Sequence, residues 1–289
     1  MRPTKPLRPA LGFTLIEAIV VIVITGIIFT SVAMFLRVPI AGAVDTARRA
    51  ALVDIADTSL RRMSREIHTA LPNSVRITTD PSKTYIEFLP IVAGGRYCSE
   101  PDSGGVCSTA AGSSNNPLDF STTDSSLEVI GPLVTAPLFS ATGTSVAIYN
   151  LGIPGADAYN GDNTVAVASV TGTTTKTVNF SSARQFPFAS PAKRFHIISS
   201  PVSYVCTPST SGTDGTGTLI RYTGYAIQAT QPTSFSVTGT KLATRVASCS
   251  IDYTQAVIAR DGLLSILLTL KQQGESISLT HEIQIHNAP

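Results

Sequence analysis

No Trp occurs in this chain of 289 residues, and Ser, Thr and Gly are abundant in its place, a balance that suits a β-rich body outside the cytoplasm. There is also no strong net charge. The formal value is +2, from 21 basic and 19 acidic residues, and without Arg2, Lys5 and Arg8 the remainder carries 18 against 19, or −1. A near-neutral body has no global field to hold nucleic acid. The sequence lacks a Gly-x-Ser-x-Gly nucleophile elbow and a Gly-x-x-x-x-Gly-Lys phosphate loop. The nearest approach to a zinc-protease motif, His281 to His286, is one residue too long: on a helix the two rings diverge by ~140°, and on a strand they face opposite ways. No enzyme and no cofactor is implied.

What the chain does have is a long apolar run. From Phe13 to Leu36 it is interrupted by a few hydroxyls and one charge, Glu17. At ~1.5 Å per residue the run is long enough to cross a ~30 Å hydrocarbon core. An ionised group at mid-bilayer depth costs ~2.5–3.5 kcal/mol on insertion scales, so Glu17 asks for a reason. Either it lies near the headgroups at a helix N-terminus, where negative charge is favoured, or it marks a partner cation on another helix. The preceding residues, Met1 to Gly12, carry three cations and no acid, the flank expected on the cytoplasmic side. A secretory signal would have an apolar core of only ~7–15 residues with the cut after it.

The string Gly12-Phe13-Thr14-Leu15-Ile16-Glu17, behind a basic leader and ahead of an unbroken apolar helix, resembles the class III signal of the type IV pilin and type II secretion pseudopilin superfamily. The resemblance implies that a prepilin peptidase cuts between Gly12 and Phe13 and methylates the new amine of Phe13. It implies that Glu17 pairs with that amine on a neighbouring subunit as a fibre grows, and that the subunit is not the extreme tip, where this Glu is absent. Implied partners are other pilin-like subunits, the peptidase and an inner-membrane assembly platform. The expected location is the inner membrane, as a single pass with a cytoplasmic N-terminus and a periplasmic head, then the fibre. Glu87-Phe88-Leu89-Pro90, Gly94-Gly95-Arg96-Tyr97 and the Leu-rich terminal hairpin look most like minor pilins of the mannose-sensitive haemagglutinin pilus system. A secretion-system pseudopilin of similar size is the close second.

The expected domain order follows: leader 1–12, membrane and polymerisation helix 13–38, amphipathic helix 39–72, and a β-rich head 73–289 with an insertion at about 92–191. Pro39 either loosens one long helix around Phe35 to Pro39 or ends the membrane helix before a second begins. Leu52, Ile55, Ala56, Leu60, Met63, Ile67 and Leu71 recur at spacings of three and four, predicting one buried helical stripe that Pro72 stops. Arg48, Arg49, Arg61, Arg62 and Arg65 share the opposite arc with Asp54 and Asp57, which reads as a solvated or subunit-contacting face. Beyond Pro72 the period becomes two, with a hairpin signal at Asp80-Pro81-Ser82. The expected class is therefore α+β and pilin-like: a long N-terminal helix on an antiparallel sheet.

In the poorly periodic stretch to Pro191, candidate strands lie at Leu127–Ile130, Ser145–Tyr149, Thr164–Val170 and Thr177–Phe180, and a loop-rich β insertion is expected. Asp157, Asn160, Asp162 and Asn163 form an oxygen-rich cluster that is a calcium candidate, without a downstream bidentate acid, or simply a turn. Cys98, Cys107, Cys206 and Cys249 read as two disulfides, with Cys98–Cys107 and Cys206–Cys249 favoured over a zinc site. Three function classes stand: a fibre-priming or capping subunit, a binding module in which the insertion captures a surface ligand or DNA, and an anchored enzyme with no residue set behind it.

Overall fold

A computed structural model describes residues 12–99, 117–135, 140–172, 176–255 and 261–288. Two units emerge, one up to Ala50 and one from Ala51 onward.

The first unit is helical. Helix α1 runs from Leu15 to Ile67 as one element with Pro39 inside it, the first of the two alternatives at Pro39. Proline has no N–H to offer the carbonyl four residues back, at Phe35, so the ladder loses a bond there without ending. The stretch Leu15–Leu36, 22 residues and about 33 Å long, is exposed on all sides. Its hydroxyls are satisfied internally: Thr25, Thr30 and Ser31 donate to the carbonyls of Val21, Gly26 and Ile27 at 2.7–2.9 Å. Such back-bonded hydroxyls carry little penalty into lipid.

In the second unit the end of α1 buries Leu52, Ala56, Leu60, Met63 and Ile67, each at most 2% exposed. On its polar arc Arg61 bonds Asp57 at 2.7 Å and Arg62 bonds Glu66 at 3.1 Å. The helix ends at Ile67, not at Pro72. His68 N still reaches Ser64 O, but the next two amides turn tightly onto Glu66 and Ile67, and Leu71 N then donates to Leu89 O at 2.7 Å. Pairing with the connection at Leu89 and Pro90 therefore takes the backbone before proline can stop it. Leu71 joins an apolar cluster with Leu89, Ala147, Tyr159 and Ile198.

The strands in chain order are β1 Arg76–Thr79, β2 Thr84–Phe88, β3 Ile91–Tyr97, β4 Asp124–Thr135, β5 Ser145–Ile148, β6 Thr164–Thr171, β7 Lys176–Arg184 and β8 Arg194–Ile198. They continue with β9 Val202–Thr207, the short pair β10 Thr210–Ser211 and β11 Asp214–Gly215, then β12 Gly217–Thr223, β13 Thr240–Gln255, β14 Asp261–Gln272 and β15 Glu275–His286. Seven form an antiparallel sheet in the order β1-β2-β9-β12-β13-β14-β15, against which the α1 stripe packs. Strands β14 and β15 pair over twelve unbroken positions. Their two-residue turn, Gln273-Gly274, has φ of 49° and 85°, the left-handed pair that a tight hairpin requires.

The segment expected as a loop-rich insertion is a closed six-stranded barrel, β3-β4-β7-β6-β5-β8. Alternate residues fill it: Leu127 and Val129, Val146 and Ile148, Val165 and Val167, Val178 and Phe180, Phe195 and Ile197, with Tyr97, Leu118 and Phe186. The barrel sits between two strands that are themselves paired, β2 and β9, with Phe88 opposite Val202. The chain enters and leaves it side by side, where Ser199 N donates to Pro90 O at 3.1 Å.

Cys206 and Cys249 form a disulfide between β9 and β13, strands that β12 separates in the sheet. The bond closes a span of 43 residues. Chain entropy puts the loss on replacing both cysteines by Ala at about 4 kcal/mol, which urea unfolding of oxidised and variant protein would measure. Cys98 is fully buried. Cys107 lies outside the described residues, as does any account of its pairing with Cys98.

Candidate functional site

Gly12 and Phe13 precede the helix, and Phe13 is 79% exposed, so the peptide bond between them is accessible. Thr14 caps α1. Its hydroxyl accepts from Glu17 N at 3.3 Å, and its carbonyl accepts from Ala18 N at 3.2 Å. Thr-x-x-Glu is the spacing of a capping box, so Glu17 occupies the third helical position, where free backbone N–H groups favour negative charge. That spacing was available in the sequence as a helix-start signal. Among the described residues Glu17 has no ion-pair partner; a cation for it has to come from beyond them. The first turn thus presents a cleavable bond, a capped start and one unpaired acid on an otherwise apolar surface.

The remaining polar clusters lie in the second unit. Glu87 on β2 is 0% exposed, although its strand alternates as if that position faced solvent. Arg76 Nε donates to it at 2.7 Å and Tyr225 Oη at 2.9 Å. Burial outweighs these donors and raises the carboxyl above its ordinary value. The Arg76 guanidinium also donates to the carbonyls of Gln228 and Ala229 and lies 3.5 Å over the Tyr159 ring. One ion pair therefore joins the sheet, the β5–β6 loop of the barrel, and the long connection between β12 and β13. A second cluster fixes α1: Glu66 accepts from Arg62, Tyr204 and Arg221, and these donors hold its carboxyl below the usual range against the opposing pull of burial. Both clusters are closed, with donors matched to acceptors.

The calcium candidate resolves into a self-bonded turn. Asp162 Oδ2 accepts from Gly155 N and Asp157 N, and Asp157 Oδ1 accepts from Tyr159 N at 2.9 Å. Asn163 is buried and donates to Ile148 O, while Asn160 is exposed. The guanidinium of Arg184 lies on the carbonyls of Gly161 and Asp162, oxygens of the kind that a hard cation would take. Among the described residues no three His, Cys, Asp or Glu side chains converge as metal ligands.

The histidines stand apart. His281 faces the helix in line with Ile283, and His286 points the other way, bonded to Asp261 at 2.7 Å. His196 lies on the outer wall of the barrel, between the inward Phe195 and Ile197. Burial, with Arg194 adding to it, lowers its pKa from 6.5 to about 4. The unfolded chain then binds a proton that the folded one refuses, so stability should fall by about 2–3 kcal/mol as the pH drops from 6.5 to 4. Thermal melts across that window should flatten in His196→Gln, and an unchanged slope would remove His196 as the cause.

Residues 7–33 match the family model described as the prokaryotic N-terminal methylation motif. No curated protein matches the chain. No solved structure matches it either.

Proposed function

We propose, for a chain whose N-terminal motif is that of a type IV pilin- or pseudopilin-like protein, that it is a minor subunit which initiates or caps a type IV-like fibre. The observation that carries the reading is the conjunction at the helix start: an accessible Gly12–Phe13 bond, a capped first turn, and an unpaired Glu17 leading an exposed apolar helix. A prepilin peptidase removes residues 1–12 and methylates Phe13. The retained helix holds the protein in the inner membrane, with the head on the periplasmic side, until an assembly platform moves it into the fibre. There Glu17 pairs with the amine of a neighbouring Phe13, and the apolar surface exchanges lipid for other helices. The role is structural and not enzymatic.

Within this class the short tags around Glu87 and Gly94 favour the mannose-sensitive haemagglutinin pilus system, with a type II secretion pseudopilin as the alternative. A second reading, a ligand-binding subunit, is favoured by one feature, the inserted barrel with its side-by-side connections.

Mass spectrometry of the protein recovered from its native membrane is the direct test. The expected species begins at N-methylated Phe13. Retention of Met1 to Gly12, or a cut beyond Leu36, would overturn the assignment.

A further inference from the structure

The two edges of the seven-stranded sheet are finished differently. Strand β1 is four residues long, runs into Asp80-Pro81, and is crossed by the β12–β13 connection, where Gln228, Ala229 and Gln231 bond Arg76 and Thr78. Strand β15 is twelve residues long, has no Pro, Lys or bulge, and pairs on one side with β14. Among the described residues nothing pairs with its other side. Long, regular, unguarded edges are where a further strand adds, and soluble proteins ordinarily blunt them. The apolar layer is also unfinished here: Ile277 and Leu279 face the helix yet are half-buried, whereas Ile283 and Ile285 are fully covered.

Beside this edge, between α1 and β15, lies a groove of about 500 Å³ lined by Thr58, Arg61, Ser64, Arg65 and His281. Arg61 is held through Nε by Asp57. Arg65 and His281 have no ion-pair partner among the described residues, and no acid lines the groove. An incoming strand that continued the alternation would place every second side chain toward α1, and the position next to His281 would fall beside the Arg65 guanidinium.

We propose that the β15 edge takes an extended segment of a partner protein, added antiparallel as an eighth strand. Its helix-facing residues are apolar apart from one carboxylate, which seats against Arg65 and His281. Backbone bonds supply the affinity, and the groove supplies the choice of an acidic segment. The inference stands on the edge and the groove alone, so it survives if the fibre-subunit reading fails.

The test uses the full chain in detergent micelles and a capped nine-residue peptide alternating Thr with Val, in which one central Val is replaced by Glu. Titration followed by peptide fluorescence anisotropy should give a Kd of roughly tens of micromolar, about tenfold weaker for the Gln peptide. In Arg65→Ala the Glu and Gln peptides should bind alike. Hydrogen exchange should slow, on adding the Glu peptide, at the β15 amides that face away from β14. Equal binding of Glu and Gln peptides to the unaltered chain, or binding without protection in β15, would overturn the proposal. So would sedimentation showing a dimer whose β15 amides are already protected, since the occupant would then be a second copy.

Discussion

Glu17→Ala is expected to be cut and methylated normally and then to be almost absent from fibres. On the proposed reading the peptidase cuts at Gly12–Phe13, ahead of the capped turn, and Thr14 still caps the helix without the acid. The damage comes later. If, as proposed, the amine of Phe13 is withdrawn from water in a fibre, removing its partner leaves a buried charge uncompensated, a loss of about 3–5 kcal/mol for such pairs. At 1.4 kcal/mol per decade this lowers incorporation by roughly two to three orders of magnitude. Immunoblots of sheared fibres against membranes would read the ratio, and mass spectrometry of the membrane pool would verify the mature N-terminus. Incorporation at the unaltered level would dispose of the pairing model while leaving the processing step intact.

The second large effect concerns stability. Glu87→Ala takes the fully buried carboxylate from an ion pair whose Arg76 side chain is 21% exposed, and leaves Arg76 with two carbonyls and an aromatic face but no counter-charge. The expected cost is about 3–5 kcal/mol, or roughly 10 °C in melting temperature for a unit of this size. Glu87→Gln keeps the side-chain shape and an acceptor for Tyr225, so it should cost less than half as much. If the two variants melted together, the charge on Glu87 would be irrelevant and its shape alone would matter. Because Arg76 also binds the β12–β13 connection and Tyr159, hydrogen exchange in Glu87→Ala should rise there as well as in β2.

How far these features could be read from residues alone depends on whether they are local. The helix stripe from Leu52 to Ile67 was legible because a period of three and four needs no knowledge of what covers it. Its end was not: the amide of Leu71 leaves for Leu89, a long-range pairing with no local mark. The strands at Leu127, Ser145, Thr164 and Thr177 were visible as short candidates, and each falls on a barrel strand, with Tyr149 one residue past the end of β5. Closure was invisible, because nothing local to β3 announces that β8 lies beside it. The burial of Glu87 was not legible for the same reason, since alternation assigns a face and cannot say that Tyr225, 138 residues later, covers it. The Cys206–Cys249 bond was favoured as a link between two strands and is present. At the helix start the motif itself was plain, while the cap that Thr14 provides went unremarked.

The side-by-side connections of the barrel also determine how the head responds to a tug. A pull carried through the two connections of the barrel would load the β2–β9 pair first at its Phe88–Val202 rung. The last rung of that zipper is Thr84 with Cys206, and Cys206 is covalently tied to β13. Strand β9 therefore stays joined to β13 even where its rungs to β2 have opened. The covalent tie thus leaves the centre of the sheet connected when its periphery is loosened.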